Sequence, residues 1–444
     1  MYTKEPKENQ HNIFDDIIHP FLDKDDELYK ITQAIDWISL SDKLATFYCT
    51  NNGRPTKPSR LKVGLLILKH LYKLSDEDAV LALKRNFYAQ YLCNVSLEKN
   101  QKILNPSSLS KFRKQIGVEG VKVIEQEVLN SLKRTKLLKG KKLVCDTTIV
   151  PSNIAYPTDI SLLEKTRRKT LEYLDKAKQI GADRYRTYRR IAKKIFVQYQ
   201  KIRHHTTKSR KKVQKRLLQF TKRNIDQLKH ALEHILGSLS QNSCKLKEQF
   251  LKEVTEFINV ASKVISQQKD VYKGLPVKER IVSIFQPHIR PMVRGKYPVE
   301  VEFGPKALIN LKNDFLFLED LRFNNVSDVH LLKPSIQGYK ERFGSLPTQL
   351  ATDRGFWSKE NYNLAQDYGI LKIAMENKGK NSHLKDKPFR ERLRRARCKI
   401  EAKISLAKRK FGLDRSRYSI ASGEEIWIRL GLIAMNIKKS VDYG

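Results

Sequence analysis

From Ser59 onward apolar residues recur at helical spacing: Leu61, Leu65, Leu68 and Leu71, then Ala79, Leu81 and Leu83 behind Ser75. Ser75 is a residue type suited to accept the first free N–H groups of a helix. Another helix is predicted after Asn105-Pro106-Ser107, with Leu109, Phe112 and Ile116 inward and Lys111, Arg113 and Lys114 outward. Gly117 should stop it, and a further helix should run from about Val118 to Leu132. Ahead of these, residues 1 to about 58 mix apolar groups (Ile13, Phe14, Ile17, Ile18) with acidic turns and end in the breaker Asn51-Asn52-Gly53-Arg54-Pro55.

At Lys141 the period changes. Lys-Lys-Leu-Val-Cys-Asp-Thr-Thr-Ile-Val reads as a β run entered from Gly140 and closed by Pro151. Asp146 lies inside it, an unexpected place for a carboxylate unless the strand faces a site. From Ser161 to roughly Lys278 the pattern is helical again, and Leu217, Phe220, Ile225, Leu228, Leu232 and Ile235 form a seam that fits an inserted helical hairpin or coiled coil.

Strand pattern resumes near Tyr297 with Val299, Val301 and Phe303, then Ala307, Ile309 and Leu311. After Lys312-Asn313-Asp314 come Phe315, Phe317 and Leu321, an antiparallel hairpin. A helix Val329 to Phe343 stopped by Gly344, a strand Thr348 to Thr352 leading into Asp353, a helix Lys359 to Tyr368, and a strand Ile370 to Met375 follow. A polar loop to Lys387 then opens a helix crowded with Lys and Arg, and Ser422 with Glu425 predicts a capping box for an amphipathic C-terminal helix.

Charge sharpens this picture. The 444 residues hold 87 Lys and Arg against 48 Asp and Glu, a net charge of +39, which points first to nucleic acid as partner. Residues 161–230 alone carry 23 Lys and Arg against five Asp and Glu, interleaved with Tyr173, Tyr185, Tyr188 and Tyr199. So many like charges favour contact with phosphates over a merely solvated face. The N-terminal helices fit either a helix-turn-helix that reads DNA or a bundle with solvated lysines. No apolar run approaches the ~18 residues of a membrane span, and the charged N-terminus does not resemble a signal peptide. Five scattered cysteines without a CxxC pair suit a reducing cytosol, and His230 and His234, though four apart, have no third ligand nearby in sequence and read as a solvated face.

The basic helix holds the sharpest candidate chemistry. Arg394, Arg397, Glu401 and Lys408 project within about 60° of one another at 100° per residue. A lone Glu in a cationic face is a salt-bridge partner by default. With the helical insert set aside, however, the chain runs three strands, helix, strand, helix, strand, helix, the order of a ribonuclease-H-like α/β domain. Its acids then fall on the first strand (Asp146), at the end of the fourth (Asp353) and on the last helix (Glu401). Residues at strand C-termini line the site in open α/β sheets, so acids separated by 206 and 47 intervening residues can converge. Three hard oxygen donors suit two divalent cations that activate an attacking oxygen and stabilise a leaving one at a phosphodiester.

These residues resemble the DDE transposases of the insertion sequence 4/5 superfamily. Asp146-Thr147-Thr148 is similar to that family's first motif and Asp353-Arg354-Gly355-Phe356 to its second. Arg397, Glu401 and Lys408 stand in register with its Tyr-x2-Arg-x3-Glu-x6-Lys motif, with Arg394 where the Tyr would be. Asn153 to Asp159 and Phe411 to Tyr418 also look like family features. The resemblance implies an enzyme that binds terminal inverted repeats and performs Mg²⁺-dependent cleavage and strand transfer, with Mn²⁺ as a substitute metal. Asp146, Asp353 and Glu401 would be the catalytic metal ligands. Arg397, Lys408 and Arg394 would meet DNA, and Trp357 would stack on a distorted base or pack in the core. The expected partners are transposon ends and target DNA, with a homodimer or higher assembly on them, in the bacterial cytosol. The expected organisation is a helical DNA-binding domain over 1–136, a first catalytic segment over 137–160, a basic helical insertion over 161–284 and the rest of the catalytic domain over 285–444. A ribonuclease-H-like nuclease without strand transfer, or a DNA-binding protein derived from a transposase, would share much of this pattern.

Overall fold

The computed structural model describes residues 19–49, 55–95, 103–237, 245–293, 301–377, 387–420 and 422–442. The apolar group Ile13 to Ile18, the Asn51 to Arg54 breaker, the strand start at Val299 and most of the polar loop before Lys387 lie outside them. The fold is mixed α/β, and the chain divides into two compact units, one of residues 1–153 with 304–444, the other of residues 154–303.

Strands run in chain order as β1 (Lys142–Ile149), β2 (Pro291–Val293), β3 (Val301–Phe303), β4 (Lys306–Lys312), β5 (Phe315–Arg322), β6 (Gln349–Thr352) and β7 (Lys372–Ala374). The first unit holds a five-stranded sheet in the order β5-β4-β1-β6-β7. β1 is central, antiparallel to β4 with Asp146 opposite Ile309, and parallel to β6 with Cys145 opposite Thr352. The predicted hairpin is β4–β5, turned at Asn313 in the left-handed region (φ 55°).

Alternation along β1 sets what each face receives. Val144 joins Ile309, Leu311 and Ala351 in a core with Ile400, Ile404 and Ala407 of the basic helix, Lys387–Lys410. Leu143 and Cys145 point the other way, into a core with Ile336, Tyr339 and Phe356. Successive side chains of a strand face opposite sides, so Asp146 shares the basic-helix face with Val144.

The N-terminal helices form a separate core in the same unit, built on Leu28, Leu40, Leu65, Leu83, Leu109 and Ile124. Ser75 caps its helix by accepting from the Asp78 N–H, and Gly117 (φ 57°) breaks the long helix Ser107–Arg134, as its position predicts. The C-terminal helix, Gly423–Val441, departs from expectation. Ile426, Trp427, Leu430, Ile433 and Ile437 enter the N-terminal core, whereas Ile428, Leu432, Ala434 and Met435 enter the sheet core. The helix is therefore buried on two faces and not amphipathic. Ser422 takes φ 53° and makes no side-chain cap, and Glu425 pairs instead with Arg429 at 2.9 Å.

The second unit is a bundle of four helices, Asp159–Gln179, Arg189–Gln200, Thr207–Gly237 and Lys245–Lys273, where the sequence suggested a hairpin or coiled coil. Leu163, Leu171, Leu217, Ile225, Leu228, Val254 and Val264 make its core. β2 pairs with β3 here, so Val301 to Phe303 belongs to a small ribbon and not to the main sheet.

Candidate active site

β1 and β6 are parallel neighbours, and the C-terminal end of β6 at Thr352 lies beside Cys145, so Asp146 and Asp353 follow as the next residues of the two chains. Asp146 sits on β1, half-buried, and Asp353 directly follows β6 as the cap of a short 3-10 helix, Arg354–Phe356. Each carboxylate accepts the N–H of the next residue at 2.7 Å, Thr147 for Asp146 and Arg354 for Asp353. The basic helix passes across β1, β6 and β7 and brings Glu401 and Arg397 to the same edge. Arg397 pairs with Asp353 and stands 4.0 Å from Glu401. Burial, joined by the negative charges of Asp353, Glu401 and Asp328, raises the Asp146 pKa to about 7. The three acids predicted from sequence thus share one electrostatic site.

The remaining predicted residues are placed differently. Lys408 donates to the Ile149 carbonyl at the end of β1 (2.8 Å), which ties the basic helix to the central strand. Arg394 pairs with Glu391 on its own helix at 3.3 Å and is mostly exposed. Trp357 packs, partly buried, against the core that contains Phe356 and Ile336, the packing alternative of the two expected for it. His230 accepts or donates a 2.9 Å hydrogen bond with the Tyr185 hydroxyl.

Sequence reasoning missed Asp328. It opens a 3-10 helix, Asp328–Leu331, behind the site, and its Oδ1 accepts from the Thr147 hydroxyl and the Lys306 ammonium, each at 3.1 Å. Only its place at the start of a predicted helix marked it in the sequence, and a helix-capping acid is common there.

The donor set fits a hard divalent cation, because it is all carboxylate oxygen and its crowded charge disfavours a fully ionised cluster without a counter-charge. As they stand, no three His, Cys, Asp or Glu side chains among the described residues are close enough together to hold an ion. Arg397 supplies the positive charge between Asp353 and Glu401 in this arrangement.

Two family models match the chain. Residues 16–115 match the family model described as a transposase domain (DUF772), and residues 304–437 match the transposase DDE domain. Two transposase domains in one chain indicate a DNA transposase, an enzyme acting on DNA. Asp353 and Glu401 fall within the second match. Asp146 lies outside both and joins them through the placement of β1 between β4 and β6. The chain is also 28% identical over 207 residues to an uncharacterized protein, ORF8 in the nfe locus of Rhizobium meliloti, covering 46% of this chain and 98% of that protein. No solved structure matches it.

Proposed function

We propose that this chain is an insertion-sequence transposase of the insertion sequence 4/5 type, with a ribonuclease-H-like catalytic domain interrupted by the helical unit. It binds the terminal inverted repeats of its own element, releases 3′-OH ends and joins them to target DNA. The observation that carries this reading is the convergence of Asp146, Asp353 and Glu401 at one sheet edge, with Arg397 between the last two.

Asp146, Asp353 and Glu401 would hold Mg²⁺, or Mn²⁺ in its place. The bound metal supplies activation of the attacking oxygen and stabilisation of the leaving one. Asp146 offers a half-buried carboxylate whose high proton affinity marks a site that calls for added positive charge. Arg397 has the planar fork that grips a phosphate in bidentate fashion, and releasing Asp353 to do so would open that carboxylate. Arg394, exposed on the same helix face, would meet the DNA backbone. Lys408 would act by fixing the helix to β1.

The helical unit supports DNA contact as well. Arg186 and Arg223 lie over the Tyr188 ring at 4.8 and 4.9 Å, which orients both guanidiniums. Pairing two transposon ends calls for a dimer or higher assembly on DNA. No helix among the described residues is long and apolar enough to cross a membrane, and a cytosolic site of action follows from the DNA substrate.

The test is the purified chain with Mg²⁺ and linear DNA carrying the flanking repeats, compared with Asp353→Ala. Repeat-dependent strand-transfer products, lost in the variant, are expected. Cleavage indifferent to the repeats would identify a nuclease without strand transfer, and cleavage undiminished by the substitution would overturn the site.

A further inference from the structure

We infer that Asp328 is a positioning residue that sets the gap between Asp146 and Asp353, an inference that rests on the proposed active site. Three separate attachments meet at this carboxylate or at its short helix. Oδ1 takes the Thr147 hydroxyl, from the residue after Asp146, at 3.1 Å. The same oxygen pairs with Lys306 at 3.1 Å, and the Lys306 ammonium also donates to the Val326 carbonyl at 2.8 Å. The Asn361 amide donates to the carbonyls of Val329 and Phe356, at 2.7 and 2.8 Å, and so clamps the helix that Asp328 opens to the turn that Asp353 caps.

The second oxygen faces that turn directly. A Cβ at Gly355 would stand 2.8 Å from Asp328 Oδ2, a distance that forces something to shift. The glycine in Asp353-Arg354-Gly355-Phe356 therefore leaves room for this carboxylate, since its φ is not in the left-handed region. Asp328 touches neither Asp146 nor Asp353. It holds the residue after the first and the turn that begins with the second, just past Cys145 and Thr352, where the pairing of β1 with β6 stops.

β1 runs on to Ile149 beside β4, but two strands are least restrained relative to each other where the ladder between them stops. In this sheet the β1–β6 register runs only from Lys142/Gln349 to Cys145/Thr352, and Asp146 and Asp353 are the next pair beyond it. Asp328 supplies the cross-link that the ladder no longer does. Its charge also adds to the negative field at Asp146, which favours a cation there.

The experiment is a Mn²⁺ titration of the full-length protein without DNA, with free Mn²⁺ read by electron paramagnetic resonance, alongside thermal melts. The variants are Asp328→Ala, Asp328→Asn, Gly355→Ala and Asp353→Ala. Supporting tests of metal-ligand positioning typically move affinity by about 10–100-fold, and Asp328→Ala should weaken Mn²⁺ binding by about tenfold at a melting temperature close to that of the unsubstituted protein. Asp328→Asn, the same shape with an oxygen still available to Thr147, should lose about threefold. Gly355→Ala should match the loss of Asp328→Ala, and the two together should be less than additive. Unchanged Mn²⁺ affinity in Asp328→Ala and Gly355→Ala, with binding lost in Asp353→Ala, would overturn the role of Asp328 and leave the site standing. Binding unaffected by Asp353→Ala would overturn both. If Asp328→Ala fails to fold, Asp328→Asn and Gly355→Ala carry the same decision.

Discussion

Arg397 pairs with Asp353 while standing 4.0 Å from Glu401, four residues on along its own helix. One guanidinium therefore links an acid delivered by β6 to an acid delivered by the basic helix. This arrangement gives the two carboxylates a counter-charge, and it makes the basic character of the helix part of the site. Substituting Asp353→Asn or Glu401→Gln removes a charge with little change of shape. Each should lower strand cleavage by about 10³-fold or more while repeat binding in a gel-shift assay stays within a few-fold, since a carboxylate is not needed to hold DNA.

Arg397 has two partners to lose. Arg397→Ala should weaken DNA binding and reduce the slope of log affinity against log salt by about 0.9, the signature of one lost phosphate contact. Arg397→Lys should recover the salt slope but not the cleavage rate, because an ammonium cannot bridge two acceptors as a planar fork does. A salt titration of both variants on the same DNA separates these effects. Equal slopes in Arg397→Ala and the unsubstituted protein would confine Arg397 to pairing with the acids.

A buried charge network joins four elements of the first unit. Arg429 on the C-terminal helix pairs with Glu125 at 2.6 Å, and Arg342 pairs with Glu125 and Glu319 at 3.2 and 3.3 Å. Burial holds the Glu319 pKa above the usual carboxylate range despite these arginines. Arg429→Met would leave Glu125 short of a partner, and breaking a buried pair on one side costs about 3–5 kcal/mol. A chemical denaturation midpoint well below that of the unsubstituted protein is expected, and an unchanged midpoint would show the network to be dispensable.

His70 predicts how stability depends on pH. It is fully enclosed between the N-terminal core and the C-terminal segment, edge-on to Trp427, with Nδ1 3.3 Å from the Phe411 carbonyl. Burial lowers its pKa to about 3, with Lys69 and Arg113 acting in the same direction and Phe411 and Asp76 against it. The folded pKa is below the unfolded one, so the unfolded chain binds the extra proton first. Stability tied to His70 is complete above about pH 6.5 and falls by about 1.4 kcal/mol per pH unit from there toward pH 3. Melting of His70→Gln against the unsubstituted protein between pH 7 and pH 4 should show a shallower loss in the variant. Parallel curves would count against it.

Much of this protein was legible in the chain. The change from helical to alternating period at Lys141 located β1, and Asn313 and Gly344 marked turns that adopt positive φ. The three acids stood out because carboxylates are rare inside a strand pattern, directly after a strand and alone in a cationic helix. These features are local, and local propensity decides them.

Tertiary structure decided what periodicity leaves open, namely which faces meet. Spacing places Arg394, Arg397, Glu401 and Lys408 on one helix face, but only the docking of that helix across β1, β6 and β7 ties Lys408 to Ile149 and Arg397 to Asp353. The C-terminal helix reads as amphipathic until two separate cores claim its opposite sides. The basic insert reads as a hairpin until its apolar seams are shared among four helices. Beyond its place at the start of a predicted helix, Asp328 gives no sign of itself in the sequence, because its meaning comes from Thr147, Lys306 and Gly355, residues 181, 22 and 27 positions away. The sequence determined which residues could do chemistry, whereas long-range packing fixed which of them stand together.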